Sequence, residues 1–153
     1  LDEAKKLINF FPEYGDYHNL SKFKNESFDV IFIIEALCHS LAKEKVLQEV
    51  YRILKKDGVF IVIDGYQGKE DISLSDDERL AINLAARGMA VIEPEFYADF
   101  IKKAKKEKFS VFNEENVSLY VLPTMRRFEK LVSRFFKFPF YPWFSFISKK
   151  IFP

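Results

Sequence analysis

Two short apolar runs with one amphipathic stretch between them fix what residues 27–65 can become. Residues 28–34 and 59–63 are almost continuously apolar and rich in β-branched side chains. Runs of that length fit strands covered on both faces, the habit of parallel strands in α/β proteins. Between them Val46, Leu47, Val50, Tyr51 and Leu54 recur every three or four residues, giving a helix one apolar stripe. Lys55, Lys56, Asp57 and Gly58 follow, with cations in the last turn and an Asp-Gly pair to reverse the chain. Strand, crossover helix and strand form a right-handed βαβ unit.

The flanks are simpler. Residues 1–8 read as the end of a helix, and 9–14 as a short strand that Pro12 confines to an edge or ends early. A loop follows over 15–20. Ser75 and Glu78 have the spacing of a capping box, opening a helix that ends at Gly88. Pro94 suits the first turn of another, whose one face carries Phe96, Phe100, Ile101 and Ala104. The lysines over 102–108 read as a solvated face at the negative helix end, so no nucleic-acid partner is expected. Residues 109–112 alternate like a short strand. Residues 124–136 form an amphipathic helix, with Met125, Phe128, Leu131, Val132 and Phe135 opposite Arg126, Arg127, Lys130 and Arg134.

The net charge of +1 over 153 residues gives no overall steering, but its distribution is uneven. From Pro123 onward there are seven Lys or Arg, one acid, Glu129, and ten of the 26 aromatics. This basic, aromatic end admits two readings. It is a lid over a lipid-like acceptor or a patch on a membrane interface; or it is ordinary helix core plus surface laid bare by truncation. The eleven uncharged residues 138–148 are too few to span a bilayer as a helix. The single Cys38 excludes an internal disulfide and fits a reducing, cytoplasmic setting.

Three strings carry a family resemblance: Ser27-Phe28-Asp29-Val30 entering a strand, then Ile34-Glu35-Ala36-Leu37-Cys38-His39, then Arg52-Ile53-Leu54-Lys55-Lys56-Asp57-Gly58. Together they resemble the second half of a class I S-adenosylmethionine-dependent methyltransferase. The family's usual ending is Arg-x-Leu-Lys-Pro-Gly-Gly; here Lys56 and Asp57 replace Pro and Gly, and Gly58 is kept. The Ile-Glu-Ala-x-Cys-His string is similar to the sterol C-methyltransferase branch and its small-molecule relatives. The resemblance implies a Rossmann-like α/β fold, here incomplete, holding the C-terminal portion of the sheet and its flanking helices. No Gly-x-Gly occurs in the chain, so the family's glycine-rich cofactor loop is expected upstream. The chain is therefore read as a fragment: a partial methyltransferase domain over 1–122, then a basic aromatic helix and tail over 123–153.

The implied cofactor is S-adenosylmethionine, and the implied acceptor is small and lipid-like. By resemblance Asp16 accepts a hydrogen bond from the adenine amino group, with Tyr17 beside the ring; otherwise Gly15-Asp16 is an exposed turn. Ile33 and Ile34 end the central strand, their backbone toward the methionine part of the cofactor and their side chains toward the core. Glu35 follows where open α/β sheets bind ligands. Its carboxylate holds the cofactor's amino group or stabilises positive charge on a substrate during C-methylation, or is a plain salt-bridge acid. His39 is a general base if the acceptor is a hydroxyl or amine, or simply bonds a neighbouring loop. Asp64 lines the acceptor pocket or is an exposed turn carboxylate. Cys38 reads as a small buried side chain. Glu35, Cys38, His39 and distant His18 make no zinc pattern, and no metal is expected. Ser40 has no His-Asp pair legible beside it. Two other functions stay open: a non-catalytic domain of the same fold that binds a partner or membrane, and an unrelated nucleotide-binding α/β enzyme.

Overall fold

The computed structural model describes residues 11–68 and 74–137. The expected helix over 1–8, and most of the aromatic tail, lie outside the described residues. The chain divides into two compact units, Leu1–Val111 and Phe112–Pro153.

The βαβ unit forms the centre of the first. Strand β1, Phe28–Ile34, runs parallel to β2, Leu54–Ile63, with helix α1, Lys43–Ile53, as the crossover. The stripe on α1 supplies the core: Val46, Leu47 and Val50 are buried together with Leu37 and Phe100. Ile31, Ile33, Phe60 and Val62 press on them from one face of the sheet. Tyr51 falls at the margin, edge-on to Phe109 at 5.5 Å.

The sheet departs from expectation on its other face. Val30, Phe32, Ile34, Ile61 and Ile63 are all exposed, Phe32 to 66%. Apolarity on both faces was legible, but among the described residues helices cover only one.

The turn between α1 and β2 also differs in detail. The helix ends at Ile53, and Leu54 is already paired with Phe28. The next partners are Val30 and Val59, so β2 advances five residues while β1 advances two. Asp57, not Gly58, takes the left-handed backbone there, at φ 63°. Gly58 answers a need for space: an added Cβ would lie 2.9 Å from Leu54 Cγ and from the Lys55 carbonyl, and 3.0 Å from the Asp29 carbonyl.

Helix α2, Asp76–Gly88, opens with the expected capping box, the Ser75 side chain accepting from Glu78 N–H while Glu78 accepts from Ser75 N–H. Helix α3 spans Tyr97–Lys106, three residues later than Pro94 suggests. Residues 94–96 stay extended because Gln67 pairs with Phe96 in an isolated parallel bridge. Phe100 and Ala104 of α3 are buried. Two expected strands are absent among the described residues: 11–14 and 109–112 hold no ladder. Phe109 instead packs its ring on Tyr51 and Phe60.

In the second unit, helix α4 spans Ser118–Phe136, starting six residues before the expected Thr124 and running through Pro123. Pro123 lies one residue beyond the first turn and a half, so it removes the N–H that would bond to the Leu119 carbonyl.

Candidate functional site

Parallel strands deliver their carboxyl ends to one side, and the candidate residues gather there. Glu35 follows the last residue of β1, with its N–H donating to Ile63 O at 2.9 Å. Its backbone is left-handed, φ 48°, a conformation that costs a non-glycine residue about 1–3 kcal/mol. The reversal turns the chain out of the strand and leaves the Glu35 side chain exposed. A short 3₁₀ turn, Leu37–His39, follows.

Asp64, at the end of β2, pins that turn. Its Oδ2 accepts from Cys38 N–H at 2.9 Å and its Oδ1 from Gly65 N–H at 2.9 Å. Burial, and next the hydrogen bond to Asp64, push the Cys38 thiol up to about 11. Cys38 is thus a protonated packing group at neutral pH, as its sequence context suggests.

Asp16 and Tyr17 reach the same place from the loop before β1. Asp16 pairs with Asn19 across a tight turn. His18 N–H and the His18 ring bond its carboxylate, holding the Asp16 pKa below the ordinary value. Tyr17 Oη donates to Ala36 O at 3.4 Å. Burial raises the Tyr17 pKa, helped by the charges of Asp16 and Asp64. The fields of Glu35 and Asp64 both act on Cys38. Three carboxylates, Asp16, Glu35 and Asp64, therefore share one neighbourhood at the strand ends. Tyr66, two residues past Asp64, stacks on Phe100 at 5.0 Å. Its hydroxyl is buried without a hydrogen-bond partner among the described residues, and burial raises its pKa strongly.

The remaining candidates separate. Ile33 packs against the core, whereas the Ile34 side chain stands on the open face. His39 is exposed and its Nδ1 lies 3.3 Å from Ala90 O, so its contact is with the loop after α2.

Two arrangements escaped the sequence reading. Ser40 does have a His-Asp pair: His18 Nε2 lies 2.8 Å from Ser40 Oγ, and His18 Nδ1 lies 2.6 Å from Asp16 Oδ1. Ser40 is only 2% exposed and its Oγ accepts from Ala42 N–H, so it is not presented as a nucleophile. Arg52 is the second. Its guanidinium donates to Leu20 O, Phe23 O, Asn25 Oδ1 and both Glu49 oxygens, while Leu20 N–H donates to Glu49. The pair builds the loop that leads from Asp16 to β1; the only signal was the Arg at the head of the Arg-x-Leu-Lys string.

The sequence and the fold both have known counterparts. A family model described as a methyltransferase domain matches residues 1–62. Over those residues the chain is similar to a methyltransferase domain. Similar curated proteins include 24-methylenesterol C-methyltransferase 2 of Arabidopsis thaliana, 32% identical over 97 residues, 63% of this chain and 27% of that protein. Sterol 24-C-methyltransferase erg6 of Schizosaccharomyces pombe is 28% identical over 105 residues, 68% of this chain and again 27% of that protein. The chain thus spans about a quarter of the length of these curated relatives. Among solved structures, the YcgJ protein of Bacillus subtilis superposes with a TM-score of 0.60 at 22% identity, covering 71% of this chain and 44% of that one. That likeness speaks for the Rossmann-like fold alone.

Proposed function

We propose that the protein containing this chain transfers a methyl group from S-adenosylmethionine to a small lipophilic acceptor. The observation that carries the reading is the convergence of Asp16, Glu35 and Asp64 at the ends of β1 and β2. A cluster of carboxylates in that crevice suits a ligand that is a sulfonium, an ammonium and an adenine amino group at once. The bound cofactor supplies an already activated methyl group. The chain's own task is to align and to exclude water. The open Asp16 oxygen would hold the adenine amino group, and Tyr17 would flank the base. Glu35 holds the cofactor's amino group or offsets positive charge on the acceptor. His39, turned toward Ala90, becomes the proton acceptor only if the reacting atom is oxygen or nitrogen. The sterol specificity of the relatives supports a lipophilic acceptor for this chain.

The test uses protein made from the complete reading frame, tritiated methyl donor and a lipid extract. Label entering the organic phase above the Glu35→Gln background supports transfer. Tight cofactor binding with no transfer to any acceptor supports the non-catalytic reading instead.

Helix α4 adds a partner to this reading. Val121, Leu122, Met125, Phe128, Leu131 and Val132 are all exposed, and at helical spacing they share one face. Arg126, Arg127, Lys130 and Arg134 occupy the other. Among the described residues no helix is long and apolar enough to cross a membrane. An apolar face bordered by cations suits lying flat on an anionic bilayer, where a lipophilic acceptor resides. The expected result is co-sedimentation with vesicles containing phosphatidylserine, weakened by Phe128→Glu and by high salt. Equal sedimentation with and without vesicles refutes it.

A further inference from the structure

Asp16, His18 and Ser40 lie in one hydrogen-bonded line that joins two loops. Asp16 Oδ1 accepts from His18 N–H at 2.9 Å and from the ring Nδ1 at 2.6 Å. An ionised carboxylate only accepts, so the ring proton sits on Nδ1. Nε2 then presents a lone pair to Ser40 Oγ, 2.8 Å away, and Ser40 donates into it. The same Oγ accepts from Ala42 N–H at 3.1 Å, so the imidazole and the Ser40 hydroxyl are both fully engaged. Ser40 is the buried end of the line, and it sits in the turn that follows Glu35.

The other end is open. Both His18 bonds fall on Oδ1, and Oδ2 has no partner among the described residues. The Asp16 side chain is 66% exposed. A free aspartate on a turn samples several rotamers; here two donors from one residue select a single one and aim one oxygen outward. Tyr17, between them, is tethered to Ala36 O at 3.4 Å and its ring lies 4.5 Å from that of His18.

We infer that His18 is a positioning residue for the cofactor: anchored on buried Ser40, it fixes the Asp16 carboxylate so that Oδ2 is ready for the adenine amino group. The inference rests on the reading of Asp16 given above. It assigns His18 no contact with the cofactor's reacting atoms and no role in proton transfer.

The experiment is calorimetric titration of S-adenosylhomocysteine into the complete protein. His18→Gln can reach Ser40 but not Asp16, and it is expected to weaken binding about tenfold, the scale of one charge-assisted hydrogen bond. His18→Asn places an amide N–H where Nδ1 was, and is expected to recover most of that affinity. His18→Phe keeps an aromatic ring against Tyr17 but its side chain bonds nothing, and it should match His18→Gln. In an Asp16→Ala background, His18→Gln should cost nothing further, because the effect runs through Asp16. In turnover, KM for the cofactor should rise while kcat at saturating cofactor holds.

Unchanged affinity in both His18→Gln and His18→Phe overturns the inference. So does additivity with Asp16→Ala, or an equal loss in Ser40→Ala with none in His18→Gln, which would make the line a loop anchor only. Asp16→Ala with unchanged affinity would instead remove the underlying reading of Asp16. Thermal melts of each variant separate a lost bond from a lost fold, and His18→Phe serves if His18→Gln does not fold.

Discussion

Replacing Gly58 by Ala tests the joint between α1, β1 and β2 directly. The new Cβ meets Leu54 Cγ and the Lys55 carbonyl at 2.9 Å and the Asp29 carbonyl at 3.0 Å, where ordinary contact begins at 3.4 Å. Two of the three obstacles are backbone, and Leu54 is buried, so no flexible end can swing aside. Relief requires separating the strands where β2 changes register. Overpacking of this kind costs about 1–3 kcal/mol. With about 2 kcal/mol lost and a urea slope of about 2 kcal/mol per M, the unfolding midpoint should fall by about 1 M. Gly88→Ala is the control. It ends α2 with nothing within 4 Å of the added Cβ and without a positive φ, so it should gain about 0.4–1 kcal/mol by restricting the unfolded chain. The same substitution thus has opposite signs at two sites. Equal midpoints for Gly58→Ala and the parent protein would refute the close approach.

Glu35→Gln should lower turnover at saturating cofactor by at least about a hundredfold, with His39→Ala costing less; a worse lesion at His39 would point to oxygen or nitrogen as the acceptor atom. With its thiol pushed up to about 11, Cys38 should react with iodoacetamide at pH 8 roughly a hundredfold more slowly than an unperturbed thiol; a rate like that of free glutathione contradicts the burial and the Asp64 bond. Ser75→Ala should lower stability by about 1 kcal/mol and Ser75→Gly by only a few tenths, read from urea midpoints; identical effects would mean the capping box does not form.

What could be read from the sequence was what neighbours in sequence decide. The Ser75–Glu78 box is one turn long, and the stripe Val46, Leu47, Val50 obeys a fixed period. Both stand as expected: the box opens α2, and the stripe supplies the crossover helix of the βαβ unit. Pro94 misled because a local preference for first turns lost to pairing between Gln67 and Phe96, residues 29 apart. Phe109 looked like a strand residue because alternation does not distinguish a ladder from a ring wedged between Tyr51 and Phe60. In the candidate site, Glu35 and Asp64 follow or end the two strands as their positions suggest, whereas Asp16 was singled out by the resemblance and the strand expected before it holds no ladder over 11–14. The Asp16–His18 spacing was visible too, but not its anchor, since Ser40 lies 22 residues on. Arg52 was quoted as a motif letter; that it holds three backbone and side-chain acceptors of the 20–25 loop needed coordinates.

The left-handed backbone at Glu35 bears on how this protein would respond to engineering. Glycine adopts that conformation freely and asparagine nearly so, so replacing Glu35 with either should relieve local strain. The position most tempting to a stability optimiser is then the one that carries the exposed carboxylate at the end of β1. A library ranked only by melting temperature would drift toward Gly or Asn there and lose the acid without any visible defect in folding.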